Sequence, residues 1–262
     1  MEYKLHHLLF SLIFLAFAIS PSLSHPPQIN VWPKPVKISW PTAQSALLSP
    51  YFKIVSPYQH KHLQIAINRY AYLAHTERHE FIMAHYTNSS SFPPVKSLHL
   101  SIGDDHSPLE HGVDETYSLR ISTDGNAYLK AKTVWGAMHG LETFSQLVYM
   151  ANNQLMVPID LYIADGPLFA HRGIMLDTGR NYYPPGDIMR TIRAMSYNKL
   201  NVFHWHITDS HSFPIVLPSE PELAKKGSYG PKMQYSPSDV QAIVEYGMQH
   251  GVRVVPEIDI PG

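Results

Sequence analysis

The chain has 262 residues, of which 44% are hydrophobic, and its 20 basic and 21 acidic side chains give a formal net charge of −1. This length suffices for one large domain or two of medium size, and the hydrophobic share excludes a disordered chain. No basic run or acidic tail occurs, so composition favours neither nucleic acid nor an anionic membrane surface as a partner. Cysteine is absent, which excludes disulfides and a thiol nucleophile, so the fold depends on its core.

The N-terminus has the pattern of a secretory signal peptide. Lys4 precedes an apolar run over 8–19, and small residues at 21–24 follow with the spacing of a cleavage site. The apolar run is shorter than the roughly 20 residues of a membrane-spanning helix, which disfavours a signal anchor. We predict a signal peptide over 1–24, entry into the secretory pathway with an extracellular or vacuolar/lysosomal destination, and no membrane partner after cleavage.

A glycosylation sequon, Asn88-Ser89-Ser90, lies in a polar segment followed by prolines. A three-residue pattern is a weak signal on its own, but it agrees with a secretory route in a eukaryote. We therefore predict Asn88 as a glycosylation site.

Residues 25–165 show alternating strands first and helical spacing later. The predicted strands are 51–55, 98–102, 115–121 and 127–131, and the predicted helices are 61–74 and 132–150. Asp124-Gly125 predicts a hairpin turn between the last two strands. We interpret the strands after residue 98 as antiparallel with one solvated face, Glu142 as part of a solvated helix face and Asp114 as a turn residue. The segment is predicted to form an α+β domain.

From residue 166 to 262 buried strands alternate with amphipathic helices. The predicted strands are 173–176, 200–205 and 252–256, and the predicted helices are 185–195 and 237–250. Ser236 and Pro237 provide an N-cap and first helical residue for the second helix, and Gly251 ends it. A βαβαβ run fits an open doubly wound sheet or a (β/α)8 barrel, and both place their sites at the carboxyl ends of the strands. Because no G-x-G-x-x-G follows a predicted strand, a dinucleotide site is disfavoured.

Charged residues follow each of the three predicted strands. They are Asp177 and Arg180 after the first, His204, His206 and Asp209 at the end of the second, and Glu257 and Asp259 after the third. Parallel strands bring these ends together, which is the arrangement that a barrel active site requires.

Simpler interpretations exist for each of these residues. Arg180 fits a solvated loop, Asp177 a capping position, Asp209 a local turn with Ser210, and Glu257 and Asp259 turn formers before Pro261-Gly262. His204 and His206 are two apart and share a strand face, which makes a metal site the main competing hypothesis. A catalytic metal needs about three protein ligands, and no other strand end offers a histidine. The metal hypothesis therefore ranks second, and no residue is assigned as a metal ligand.

With these residues in view, the chain resembles the β-N-acetylhexosaminidases of glycoside hydrolase family 20, most closely the plant-type members. The matching segments are VWPKP (31–35), DETYSLRI (114–121), GAMHGLETFSQL (136–147), HRGIMLDTGRNYYP (171–184), NVFHWHITDSHSFP (201–214) and VRVVPEIDIPG (252–262). They occur in the family's order, so the resemblance does not rest on one motif.

The resemblance implies an α+β N-terminal support domain over 25–165, followed over 166–262 by about the first three βα units of a catalytic (β/α)8 TIM barrel, which is incomplete. It implies an exo-acting enzyme that hydrolyses terminal N-acetyl-D-hexosamine residues of glycans by substrate-assisted retaining catalysis, without a cofactor. Arg180 matches the arginine that grips hydroxyls of the terminal sugar. Asp209 matches an aspartate that orients the catalytic acid through a histidine, and Asp259 is a further supporting residue. A homodimer is a further expectation for the full-length parent.

The family's catalytic Asp-Glu pair lies in an H-x-G-G-D-E type motif, and that motif does not occur in this sequence. We therefore expect the acid Glu, its partner Asp and the orienting histidine beyond Gly262, and assign no catalytic residue here. The main hypothesis is a C-terminally truncated hexosaminidase, and the alternatives are an inactive or residual sugar-binding chain and a metal-dependent hydrolase that uses the His-Trp-His pair. A three-strand piece of a barrel has unpaired edges, so we expect this chain to be prone to aggregation.

Overall fold

A computed structural model of the protein describes residues 29–76, 87–88 and 91–260. The predicted signal peptide over 1–24 lies outside these residues. Asn88 belongs to a two-residue strand, whereas Ser89 and Ser90 of its sequon are outside the described part. Within that part, no helix combines the length and apolarity that crossing a bilayer demands.

The N-terminal half is built on one large mixed sheet. Its strands are β1 (Lys37–Ser39), β2 (Gln44–Val55), β3 (Thr87–Asn88), β4 (Val95–Asp104), β5 (Tyr117–Ile121), β6 (Asn126–Thr133), β7 (Tyr149–Ala151), β8 (Gln154–Pro158) and β9 (Leu161–Asp165). Their spatial order is β1-β9-β5-β6-β4-β2-β8-β7, with β3 beside β2. Every second side chain of β5 and β6 is buried, as strand geometry requires of a sheet that is covered on one face.

Two helices, α1 (Lys61–Thr76) and α2 (Val134–Leu147), pack on the buried face of this sheet. Thr133 caps α2 by accepting a hydrogen bond from the Gly136 amide at 3.3 Å. The helix lies so close to the sheet that a Cβ on Gly140 would come within 2.3 Å of the Leu129 side chain. Almost every residue of α2 is therefore buried, and the helix forms the centre of this domain.

The structure corrects three predictions in this half. β4 pairs in parallel with both β2 and β6, and the antiparallel prediction holds only where β5 joins β6 through the turn at Gly125. The helix predicted over 132–150 is shorter, because β6 and β7 occupy its two ends. Glu142 is buried beside Tyr70 of α1 and Lys199 of the C-terminal half, whereas Asp114 is a turn residue as predicted, accepting from the Thr116 amide.

The C-terminal half is a parallel sheet of three strands in the order β10-β11-β12, connected by helices. The elements are β10 (Gly173–Asp177), α3 (Pro185–Tyr197), β11 (Val202–Thr208), α4 (Pro221–Gly227), α5 (Pro237–Gln249) and β12 (Arg253–Ile258). Ser236 caps α5 in a capping box with Asp239, and Gly251 follows with φ +69°. The predicted α+β domain followed by about three βα units is confirmed.

Buried polar contacts join the two halves at the N-terminal ends of β10 and β11. The Glu115 carboxylate lies 2.7 Å from Arg172 Nη2, 3.2 Å from Asn201 Nδ2 and 3.4 Å from His139 Nε2. Arg172 and Asn201 immediately precede β10 and β11, whereas Glu115 and His139 belong to the N-terminal domain. The two halves are thus tied together at the end of the strands that lies opposite to the charged residues described next.

Beside this cluster, Lys199 Nζ donates to Asp165 Oδ2 at 2.8 Å and to the Tyr117 hydroxyl at 2.9 Å. Burial lowers the pKa of Lys199, although the hydrogen bond and charge of Asp165 act against it. Asp165 and Tyr117 lie on β9 and β5, so this second ion pair also crosses between the halves.

Candidate active site at the carboxyl ends of three parallel strands

The charged residues predicted for one rim do meet there. Parallel pairing aligns Asp177 of β10 with His206 of β11, and His206 with Glu257 of β12. β11 and β12 run further than predicted, so His206 and Glu257 lie inside strands, and Asp209 and Asp259 follow just beyond their ends. We call this set of strand ends the carboxyl rim.

Arg180 is held at the rim by two carboxylates. Its Nη1 donates to Asp177 Oδ2, and its Nε lies 3.2 Å from Asp209 Oδ2. The side chain is nevertheless 53% exposed, so part of the guanidinium faces solvent. Because two anchors fix the plane of the group, its remaining N–H donors have a defined direction.

Asp177 also shapes the loop that carries Arg180. Its Oδ1 accepts from the Gly179 amide at 3.1 Å and the Arg180 amide at 3.0 Å. Burial raises the pKa of Asp177, but the hydrogen bonds and charge of Arg180 outweigh burial and hold this pKa below its usual range. A carboxylate that stays ionised in this way is suited to anchoring the arginine and unsuited to donating a proton.

Asp209 forms a local turn and also contacts Arg180. It is buried, and its Oδ1 accepts from the His211 amide at 2.7 Å and the Ser212 amide at 3.3 Å, which is the predicted local turn. The other oxygen, Oδ2, makes the ion pair with Arg180 Nε without the alignment of a hydrogen bond. The turn therefore fixes a carboxylate that supports the arginine.

Three residues that sequence reasoning missed hold the Arg180 loop. The Ser212 hydroxyl donates to the Gly179 carbonyl at 2.5 Å, and the Tyr229 hydroxyl donates to the Arg180 carbonyl at 2.9 Å. A Cβ on Gly179 would lie 3.1 Å from both Cγ and the backbone nitrogen of Asp209, so glycine permits the close approach of the two loops. Gly179 and Ser212 lie within segments that resemble the family, and this position could have indicated a role at the rim. No local pattern in the sequence indicated Tyr229.

The two histidines take different places on β11. His206 is buried, with Nδ1 3.6 Å from Asp177 Oδ2 and Nε2 3.7 Å from Asp259 Oδ2. His204, by contrast, is partly exposed and its Nε2 lies 2.5 Å from Glu257 Oε2. Within the described ranges, no three His, Asp or Glu side chains are arranged so that they could hold a metal ion.

Two family models match the chain. The one described as "Glycosyl hydrolase family 20, catalytic domain" matches residues 169–262, and the one described as "beta-acetyl hexosaminidase like" matches residues 31–147. The rim lies inside the first of these matches, and the buried interdomain contacts join the two.

Individual relatives agree with these models. The mouse (Mus musculus) protein named β-hexosaminidase subunit beta is 50% identical over 149 residues, which are 57% of this chain and 28% of that protein. A chitooligosaccharidolytic β-N-acetylglucosaminidase of Bombyx mori is 47% identical over 155 residues, which are 57% of this chain and 26% of that protein. The solved structure of a Flavobacterium johnsoniae chitobiase superposes with a TM-score of 0.75 at 26% identity and covers 90% of this chain and 36% of its own. The matched part thus spans little more than a quarter of either curated relative.

Proposed function

The chain belongs to glycoside hydrolase family 20, and on that premise we propose that it forms the sugar-holding part of a β-N-acetylhexosaminidase acting on glycans with terminal N-acetylhexosamine. The observation that carries this proposal is the anchored, half-exposed Arg180 between Asp177 and Asp209. The names of the relatives, which are hexosaminidases and N-acetylglucosaminidases, support the same substrate class.

Arg180 binds hydroxyl groups of the terminal sugar in this proposal. A guanidinium offers five donors in a rigid fork, of which Asp177 contacts Nη1 and Asp209 contacts Nε. The donors that face solvent are then available to a pair of neighbouring hydroxyls. Charge-assisted hydrogen bonds of this kind are stronger than neutral ones, so they give both affinity and orientation.

Asp209 and Asp259 are supporting residues. Asp209 orients Arg180 through Nε, and Asp259 lies beside His206, which in turn lies beside Asp177. In the proposed substrate-assisted reaction the 2-acetamido oxygen attacks the anomeric carbon while an acid protonates the leaving oxygen. The sequence contains no H-x-G-G-D-E motif to supply the acid and its aspartate partner. We therefore assign sugar binding, and no proton transfer, to the residues of this chain.

The remaining assignments concern the chain as a whole. A signal peptide over 1–24, a support domain over 25–165 and barrel residues over 166–262 form the proposed organisation. Secretion or delivery to a vacuole or lysosome and glycosylation at Asn88 complete it, and a homodimer is proposed for the full-length parent. Asn88 belongs to β3, which pairs with β2.

Sugar binding by the purified chain tests the assignment of Arg180. Ligand-observed NMR with N-acetylglucosamine should detect binding, and Arg180→Lys should weaken it by about tenfold, because lysine keeps the charge and loses the fork. Arg190→Lys is the matched control, since Arg190 forms the same i,i+3 contact with Asp187 on α3 and contacts none of the rim carboxylates among the described ion pairs. Equal losses in both variants would refute the assignment, as would binding that Arg180→Lys leaves unchanged.

Turnover of an aryl N-acetyl-β-glucosaminide separates binding from catalysis. We expect no hydrolysis by this chain, because the sequence lacks the acid motif. Measurable hydrolysis would show that residues of this chain supply the acid. Hydrolysis that a chelator abolishes would instead support the metal-dependent alternative at His204 and His206.

A further inference from the structure

The face of the large sheet that points away from α1 and α2 carries an unusual set of side chains. Strand register places Ser39, Tyr162, Arg120, Tyr128, His99 and Val55 side by side on six neighbouring strands. A second row beside the first contains Lys37, Ala164, Ser118, Lys130 and Ser101. We call this surface the open sheet face.

The charge of the open sheet face is uniformly positive. Its exposed cations are Lys37, Lys53, Arg120, Lys130 and Lys132, on β1, β2, β5 and β6. None of them forms an ion pair with a carboxylate of the described residues. The two acidic residues of these strands, Asp104 and Asp165, are in register with Thr133 and Tyr117 of the buried face. Although the whole chain has a net charge of −1, the open sheet face thus carries a local excess of five positive charges.

Aromatic rings alternate with these cations. Arg120 is directly opposite Tyr162 on one side and Tyr128 on the other, so the two tyrosines are about 10 Å apart, two interstrand spacings. The two tyrosine side chains are 37% and 40% exposed, respectively. Lys37 Nζ lies 5.8 Å from the Tyr162 ring centre, and His99 stacks on Tyr128 at 5.6 Å. These contacts hold the rings on the surface.

We propose that the open sheet face binds an anionic glycan, a sugar chain that bears sulfate or carboxylate groups. Exposed tyrosine rings pack against the apolar C–H faces of pyranose rings, and their separation matches a disaccharide step along an extended chain. Arg120 lies between the tyrosines, where it donates to a sulfate or carboxylate of the sugar stacked beside it. Lys37 and Lys130 flank the row and bind further anionic groups.

The observations favour a glycan over other polyanions. A duplex nucleic acid or a membrane surface is contacted mainly through charge and makes no use of two rings set in line with the cation. An acidic peptide finds no free strand edge here, because the surface is a sheet face and its strands are paired on both sides between β9 and β4. The inference goes beyond the proposed activity at the rim and stands without it.

Affinity for heparin oligosaccharides tests the proposal. Calorimetry with a heparin octasaccharide and the full chain should detect binding that weakens as salt increases, and a de-sulfated octasaccharide should bind much less. The double variant Arg120→Gln/Lys130→Gln should lose about tenfold in affinity, and Tyr128→Ala a similar factor, since charged hydrogen bonds and stacking both contribute. The matched control is Lys225→Gln/Lys232→Gln, which removes two exposed lysines from the C-terminal half and should change nothing.

Lysine acylation followed by mass spectrometry locates the site without any variant. The octasaccharide should protect Lys37, Lys53 and Lys130 and leave Lys225 and Lys232 reactive. Protection spread over all lysines, or an equal loss in both double variants, would refute a specific site. So would tighter binding of single-stranded RNA, an acidic peptide or anionic vesicles of equal charge, which would assign the surface to another class of partner.

Discussion

The buried ion pair between Glu115 and Arg172 gives the sharpest test of how the two halves of the chain are held together. Replacing Glu115 by Gln keeps the shape of the side chain and removes its charge. The side chains of Glu115 and Arg172 are only 1% and 16% exposed, so water does not compensate the remaining cation. Breaking a buried pair from one side costs about 3–5 kcal/mol.

Two features of the site place the expected loss at the lower end of that range. Arg172 still donates from Nε to the Lys199 carbonyl at 2.9 Å and from Nη1 to the Phe169 carbonyl at 2.8 Å. Its Nη2, at 2.7 Å from Glu115, makes an ion pair without hydrogen-bond alignment. We therefore expect Glu115→Gln to lower the free energy of unfolding by about 3 kcal/mol at pH 7.

The loss should depend on pH in a defined direction. Burial raises the pKa of Glu115, but the hydrogen bond and charge of His139 and the charge of Arg172 outweigh it and hold the pKa below its usual 4.5. A carboxyl group whose pKa is lowered by folding stabilises the protein above its unfolded pKa, and this stabilisation is lost as pH falls through the folded pKa. The difference between wild type and variant should thus be full at neutral pH and shrink below about pH 4.5.

Urea denaturation, followed by tryptophan fluorescence, measures the effect, because Trp135 reports on the N-terminal core and Trp205 on the C-terminal one. Arg190→Gln, which breaks an exposed pair with Asp187, is the control and should cost less than about 1 kcal/mol. Adding Arg172→Met to Glu115→Gln should recover part of the loss, since no buried charge remains unpaired. A loss below about 1 kcal/mol, or the same loss at pH 7 and pH 3, would refute the reasoning.

Three further predictions use the same measurements. Gly179→Ala should weaken N-acetylglucosamine binding several-fold with little change in stability, because its Cβ would press on Asp209; Gly230→Ala, whose Cβ meets nothing within 4 Å, is the control. Burial, assisted by the charge of Arg69, lowers the pKa of His250 to about 4. The wild type should therefore lose about 2–3 kcal/mol of stability as pH falls from 6.5 to 4, and His250→Gln should remove this loss. Burial raises the pKa of Glu142. Glu142→Gln should therefore stabilise the protein by about 1 kcal/mol at pH 7 and leave its stability unchanged well below the usual pKa of 4.5. A variant that is destabilised at pH 7 would contradict this.

The C-terminal half was predictable because its signals are local. Ser236 and Pro237 start α5, Gly251 ends it, and the apolar runs of the three strands are short and bounded. The charged residues after these strands could be assigned to one rim because parallel strands always bring their carboxyl ends together. Family resemblance then supplied a role for Arg180 that no spacing argument gives.

The N-terminal half was less predictable because its signals depend on contacts distant in sequence. Nothing near β4 indicates that it pairs in parallel with β2, since pairing partners are chosen by the whole sheet. Glu142 fits the polar side of a helical pattern, yet the sheet, α1 and the C-terminal half enclose that side. Tyr229 likewise reaches the Arg180 carbonyl from a loop 49 residues further along the chain.

The family, the three parallel strands of the C-terminal half and the position of Arg180 and Asp209 at their carboxyl rim could be predicted from the sequence, because they follow from short-range patterns and matched motifs. The roles of Arg180 and Asp209 in sugar binding stay proposals. Only the tertiary structure decided that Asp177 and Asp209 both form ion pairs with the Arg180 guanidinium. It also decided that Glu115 ties the halves together, and that five cations gather on one sheet face of a chain with net charge −1. These properties depend on distances between residues far apart in the chain, and a distance of that kind is fixed only when the strands have paired.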